Sequence, residues 1–214
     1  MADLYGWHLI AANRKLAHSG EPLELGHVYR VEPPIALCSR GLHGSVRLID
    51  ALKYAPGPIL TRCRFGGQIV HDADKLAAET REVLWVGDVT NLLWLASCHF
   101  AETACRIAGW TDPRSLAAIE ARRGWVAGTV SGEELAYAAA AASAAYADSA
   151  AYADSAAYAD SAAYAASAAS AASAAYAAYA ASSASSASAV YAAVRDAQNE
   201  WLECAVREFA GVDQ

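Results

Sequence analysis

The chain has 214 residues, enough to bury a core in one or two domains, and a formal charge of -7 that is carried by one end. Residues 1–132 hold 14 basic and 13 acidic side chains, residues 133–214 hold 2 and 10, and no Lys or Arg occurs between Arg123 and Arg195. That acidic half would be repelled by a duplex groove or an anionic membrane, so neither is its expected partner.

The five cysteines, Cys38, Cys63, Cys98, Cys105 and Cys204, are odd in number and lack the spacing of a disulfide framework. The opening Met1-Ala-Asp-Leu-Tyr has neither the basic start nor the apolar run of a secretory signal. The expected location is the cytoplasm, or a virion if the chain is phage-encoded. The uncharged stretch from Tyr164 to Val194 has the length of a membrane span. Its Ala and Ser composition, nearly free of Leu, Ile and Phe, argues against one.

In chain order, Tyr5, Trp7, Leu9 and Ala11 alternate with Gly6, His8 and Ile10 as in a half-buried strand. His18-Ser-Gly-Glu-Pro is a turn, and His27 to Val31 reads as a second strand stopped by Pro33-Pro34. A third short strand is expected at Ile35 to Cys38, before the loop Ser39-Arg-Gly-Leu-His-Gly44. Ser45 is a candidate cap for a helix to about Ala55 with Leu48, Ile49 and Leu52 inward. Ile59 to Phe65 and Gln68 to His71 read as a hairpin turned by Gly66-Gly67. Lys75, Glu79, Arg81 and Glu82 read as a mixed-charge, solvated run.

Beyond this point the pattern is helical. A helix capped by Asp88 is expected from Val89 to Ala108, its stripe made by Leu92, Leu93, Leu95, Ala96, Phe100 and Ala104, with Glu102 and Arg106 as a surface ion pair. Asp112-Pro113 starts a second helix running to about Ala127, and Ser131-Gly-Glu-Glu134 is a capping box for a third. In the tail, Val194, Trp201, Leu202, Ala205, Val206 and Phe209 form an apolar side that should dock on the front domain or on a second copy.

From Tyr137 to Tyr191 every third residue is Tyr, Ser or once Ala, and the intervening residues are nearly all Ala. A tighter hexad places Tyr146, Tyr152, Tyr158 and Tyr164 beside Asp148, Asp154 and Asp160. Ala favours α-helix, yet a period of three falls about 60° short of each turn, so the Tyr row winds around the axis. Such a row makes neither a coiled-coil seam nor a flat lattice-binding face. A 3₁₀-helix or polyproline helix would align it, but long 3₁₀ runs are uncommon and Pro and Gly are lacking. A single α-helix is expected, or a helical hairpin bent at Ser182 to Ser186. The plainest reading is a spacer made by tandem duplication.

The richest chemistry lies in Cys38-Ser-Arg-Gly-Leu-His43, where a thiol, the Arg40 guanidinium and an imidazole fall within six residues. A shared metal, a base at His43, or a tight turn with Leu42 in the core are the alternatives. Cys98, His99 and Cys105 share a helix, but neither CxxC nor HxxxH spacing is present. Phosphate-loop, GxSxG and HExxH motifs do not occur, so no cofactor and no catalytic residue is assigned.

The stretch Ile35 to Ser45, then Asp50-Ala-Leu-Lys-Tyr-Ala55, Lys75 to Arg81 and Val83-Leu-Trp85 resembles an uncharacterised domain family frequent in phages and bacteria. That family's pattern is a Cys-x-x-Gly-Leu-His-Ala-Ser turn, an Asp-Ala-Leu-x-Tyr-Ala helix and a Lys…Glu-Arg…Leu-Trp segment. Gly44 stands where the pattern has Ala, and Thr80-Arg81 where it has Glu-Arg. The turn is also similar to a segment attached to some pentapeptide-repeat proteins. Pro113 to Gly128 and Arg195 to Glu203 resemble Ala-rich helical proteins, some of them labelled as immunity proteins of bacterial toxin systems.

The expected fold is α+β, with a small mixed α/β head at 1–87, a helical body at 88–130 and an Ala-rich helix at 131–214 ending in a docking segment. The expected function is non-enzymatic: a structural or protein-interaction protein, phage- or prophage-associated, whose partner is another protein or itself. An immunity-type binder and a small enzyme using Cys38, Arg40 and His43 are the alternatives. The binding candidates are Cys38, Arg40, His43, Lys75 and Arg81. The packing or assembly candidates are Tyr146, Tyr152, Tyr158, Tyr164, Trp201, Leu202 and Phe209.

Overall fold

The computed structural model describes residues 4–17, 19–108, 111–149 and 191–211. It combines an antiparallel sheet with helices and divides into two units, Met1–Val89 with Val206–Gln214, and Thr90–Ala205. Tyr152, Tyr158, Tyr164 and the proposed bend at 182–186 lie outside the described residues, as does the side chain of Tyr146.

The first unit is built on five strands: β1 (Leu4–Ile10), β2 (Val28–Arg30), β3 (Leu42–Gly44), β4 (Ile59–His71) and β5 (Leu76–Asp88). Their order is β1-β4-β5-β2, with β3 also pairing β5 and every pairing antiparallel. The β1 and β2 expectations agree with the strands found, within a residue or two at each end. The β4–β5 pair does not match the expected hairpin. Gly66-Gly67 is no turn but part of a register shift between Gly66 and Ile69, and β4 continues to His71 before the chain reverses. A bulge is the other common use of glycine inside a strand.

The charged run after Lys75 is likewise a strand rather than a solvated segment. Its Leu76, Ala77 and Ala78 are fully buried, and Arg81 is only 3 % exposed. Cross-strand partners make this tolerable, since Arg64 Nε donates to Glu82 Oε2 at 2.9 Å. The third strand is also displaced. Ile35 to Cys38 forms a turn closed by an Ala36–Arg40 bridge, and β3 follows at Leu42–Gly44.

Ser45 is not a helix cap. It exchanges both backbone hydrogen bonds with Trp7, and its hydroxyl donates to the Asp74 carbonyl at 2.7 Å. Helix α1 (Leu48–Ala51) starts after Arg47 and tightens into a 3₁₀ turn at Leu52–Tyr54. Leu48, Ile49 and Leu52 point inward as expected, at 1 %, 0 % and 2 % exposure. Phe65 anchors the sheet core with Cys63, Val83, Leu76, Leu16 and Tyr29.

Gly44 sits hard against this core. A Cβ there would lie 2.3 Å from Phe65 Cζ and 3.0 Å from the Trp7 carbonyl oxygen. Glycine at this position is thus a requirement of the packing.

Among the described residues the helices that follow are α2 (Thr90–Ala108), α3 (Pro113–Val126), α4 (Gly132–Ser149) and α5 (Tyr191–Ala210). Asp112 caps α3, accepting from the Arg114 amide at 2.8 Å. The Ser131–Glu134 capping box forms in both directions, at 2.8 Å and 3.2 Å. Ala118 on α3 packs with Leu135, Ala139 and Ala142 on α4, where small side chains let the two helices approach closely.

On α2, Leu92, Leu93, Ala96, Phe100 and Ala104 are buried, whereas Leu95 is 39 % exposed. Glu102 pairs with Arg123 of α3 at 2.6 Å, not with Arg106. On α5, Leu202 is fully buried and Trp201 stacks on His99 of α2 at 4.5 Å. Phe209 is 55 % exposed and so does not join that packed side. Among the described residues no helix is long and apolar enough to cross a membrane.

Candidate functional site: a basic cavity in the head

Strand pairing decides which side chains converge. Tyr29 lies opposite Arg81, Arg81 opposite Phe65, and Phe65 opposite Leu4. Because alternate residues share a face, His8 falls on the same side of the sheet as Arg81. His43 pairs with Ala77 and stands beside Gly44 on β3, with its carbonyl oxygen turned to Arg81. Residues of β1, β3 and β5, His8, His43 and Arg81 among them, together line a cavity of about 790 Å³.

Charge in this cavity is one-sided. Lys15, Arg30, Lys75 and Arg81 line it together with His8, His27 and His43, and Glu21 is the single acid among the lining residues. The head has nearly balanced charge in sequence, so the imbalance is a product of folding. Field lines from cations set in low-dielectric walls are focused into such a hollow, which raises the local concentration of anions.

Arg81 is the unusual member. Its Nη1 donates to the His43 carbonyl at 3.0 Å, and its guanidinium lies 5.9 Å from the Tyr29 ring centroid. Its Nε is buried without a hydrogen-bond partner. Among the described residues no carboxylate forms an ion pair with it. Burial pushes its pKa down, with Cys63 and Tyr29 opposing, yet an arginine stays charged at neutral pH. A desolvated cation with an unmatched donor costs on the order of 1–3 kcal/mol. That cost is retained in folds most readily where a ligand supplies the missing acceptor.

His8 responds to the same surroundings. Burial, then the Arg81 charge, then His43 hold its pKa well below the usual imidazole value, so it is neutral at pH 7. Thr61 fixes the backbone here, donating its hydroxyl to the His8 carbonyl at 2.8 Å.

The turn ahead of β3 supplies Cys38 and β3 itself supplies His43, with an outcome different from a thiol–imidazole pair. His43 Nε2 accepts from the backbone amide of Cys38 at 3.2 Å, so the imidazole braces the loop. Cys38 Sγ instead accepts from Lys75 Nζ at 3.1 Å, a bond that raises the lysine pKa. Cys38 has a φ of 59°, in the left-handed region that non-glycine residues seldom occupy. Arg40 is exposed and does not line the cavity.

Behind the rim, Asp74 accepts from Lys53 Nζ at 2.7 Å and from the Tyr54 hydroxyl at 2.8 Å. Burial would raise the Asp74 carboxyl, but those two donors outweigh it and hold it below the usual range.

Four of the five residues singled out in the sequence, Cys38, His43, Lys75 and Arg81, thus meet at one cavity. His8 was missed because within β1 it reads as the polar partner of an alternating strand. Its only sequence signal is that it lies on the solvent-side phase of a strand whose opposite phase is apolar.

The helical unit offers less. A hollow of about 360 Å³ is lined by His99, Thr103, Arg106 and the buried Gln198, with one permanent cation. Cys98 and Cys105 are buried thiols whose pKa burial pushes up to about 11. Among the described residues no group of three or more His, Cys, Asp or Glu side chains is arranged to hold a metal ion. No family model, curated protein or solved structure matches this chain.

Proposed function

We propose that this protein is a non-enzymatic binding protein whose head recognises an anionic ligand in the basic cavity, and whose Ala-rich segment serves as a helical spacer and self-assembly surface. One observation carries the reading. Arg81 places a buried guanidinium with an unmatched Nε donor in the wall of a cavity lined by three further cations and one acid. Recognition is a better fit than catalysis, because His43 is committed to the loop backbone and no nucleophile–base pair is formed with Cys38.

The spacer is supported by α4 and α5, which are helical at either end of the three-residue repeat. On this reading residues 131–214 form the Ala-rich helical element, alone or as a hairpin, after a helical body at 88–130. A phage or prophage setting rests on the resemblance of Ile35 to Ser45 and Asp50 to Ala55 to that domain family. The immunity-type alternative draws on the acidic second half, which suits a basic protein partner.

The anion reading is tested by thermal unfolding of the full chain in rising phosphate or sulfate at constant ionic strength. Saturable stabilisation that Arg81→Met abolishes is the expected result. Stabilisation that is equal in the variant contradicts it. For self-assembly, sedimentation equilibrium should show mass rising with concentration; a monomer throughout contradicts that part.

A further inference from the structure

We propose that the ligand of the head cavity is an organic phosphate monoester of up to nucleotide size, its phosphate seated against Arg81 and His8 and its organic body filling the remainder. The inference rests on the anion reading above and adds the chemical class.

Size comes first. A cavity of about 790 Å³ is in the range that takes a small organic molecule and exceeds what a bare oxyanion fills. Its lining also includes the apolar Leu9, Ile10, Ala17, Val28, Val31 and Pro56. An inorganic ion would leave that surface unused, whereas the carbon body of an ester covers it.

Charge comes second. Arg81 is buried and unmatched by any carboxylate among the described residues, and Lys15, Arg30 and Lys75 line the same hollow against Glu21 alone. A phosphate monoester carries about -1.5 to -2 at neutral pH, which balances this excess better than the single charge of a carboxylate. It also has three acceptor oxygens, enough to meet the Arg81 guanidinium and the His8 ring together. Neutral at pH 7 in this setting, the His8 imidazole still has one N–H to donate. Among the described residues the His8 side chain makes no hydrogen bond that would compete.

Isothermal titration of the full chain tests the class. The probes are a nucleoside 5′-monophosphate, a hexose 6-phosphate, the parent nucleoside, a carboxylate of similar size and inorganic phosphate. The expected result is one-to-one binding of at least one ester, about tenfold or more tighter than inorganic phosphate or the carboxylate, with the nucleoside silent. Arg81→Met should weaken the ester about tenfold to a hundredfold, the loss of a charge-assisted contact. Arg81→Lys keeps the charge without the guanidinium fork and should weaken it less; it is the deciding variant if Arg81→Met does not fold. Inorganic phosphate binding as tightly as every ester overturns the proposal and leaves the anion reading standing, as does a preference for the carboxylate. Silence from all the anions, or an ester affinity indifferent to both substitutions, overturns both.

Discussion

Arg81 of β5 donates from Nη1 to the carbonyl oxygen of His43 on β3, 3.0 Å away, while its own Nε is buried without a partner. Nη1 therefore pins the loop-bearing strand, Nε is left unmatched beside it, and the residue lines the cavity. A side chain kept only for stability would be expected to satisfy both.

This arrangement predicts an opposition between stability and binding. Arg81→Met removes an unmatched buried donor, which relieves about 1–3 kcal/mol, and loses one hydrogen bond to His43 of about 1 kcal/mol. The unfolding free energy from urea titration should be unchanged or up to about 2 kcal/mol higher, while the response to oxyanions disappears. A variant less stable by more than about 2 kcal/mol would show that Arg81 serves the fold first.

His8 predicts an acid-side loss of stability. Its pKa in the folded chain lies well below 6.5, so the unfolded chain takes up a proton that the folded one refuses. The contribution is complete above pH 6.5 and is lost as pH falls below it, with a slope approaching about 1.4 kcal/mol per pH unit. Urea titrations at pH 7 and pH 5.5 should differ less for His8→Gln than for the wild type. An equal decline in both would place the lost protons elsewhere.

Gly44 predicts a steric penalty for any added side chain. Gly44→Ala puts a methyl within 2.3 Å of Phe65 Cζ, and Phe65 has no exposed surface into which to move. Overpacking of this kind costs about 1–3 kcal/mol, measurable by chemical denaturation. A loss under about 0.5 kcal/mol would mean that β3 shifts freely.

The cysteines predict a two-class labelling pattern. Cys38 and Cys204 are exposed, while Cys63, Cys98 and Cys105 are buried with pKa values raised by burial. A disulfide reagent at pH 8 should modify two thiols quickly and three only on unfolding. Mass spectrometry that finds Cys98 or Cys105 labelled early would contradict the packing of α2.

Much of this architecture was legible where a local signal has a local cause. The Asp112 cap, the Ser131–Glu134 box and the inward Leu48, Ile49 and Leu52 depend on residues within one or two turns of each other. The failures share a different origin. Strand β5 hides because Glu82 is compensated by Arg64 eighteen residues earlier, and because Arg81 faces a cavity rather than water. Gly66-Gly67 carries the composition of a turn, and only the pairing with β5 shows that it is a bulge. The site was half legible for the same reason. The Cys38 to His43 loop shows its chemistry in six consecutive residues, whereas its meeting with His8, Lys75 and Arg81 is decided by strand register.

The most direct test of the central claim is the titration of the His8 ring, followed by nitrogen–proton NMR on the full chain with and without inorganic phosphate. An anion bound beside Arg81 offsets the cation that depresses His8, so by linkage its pKa should rise on saturation while the His99 ring, outside the cavity, stays unmoved. An upward move confined to the cavity histidines supports the anion site. A His8 titration unchanged by saturating phosphate would contradict it.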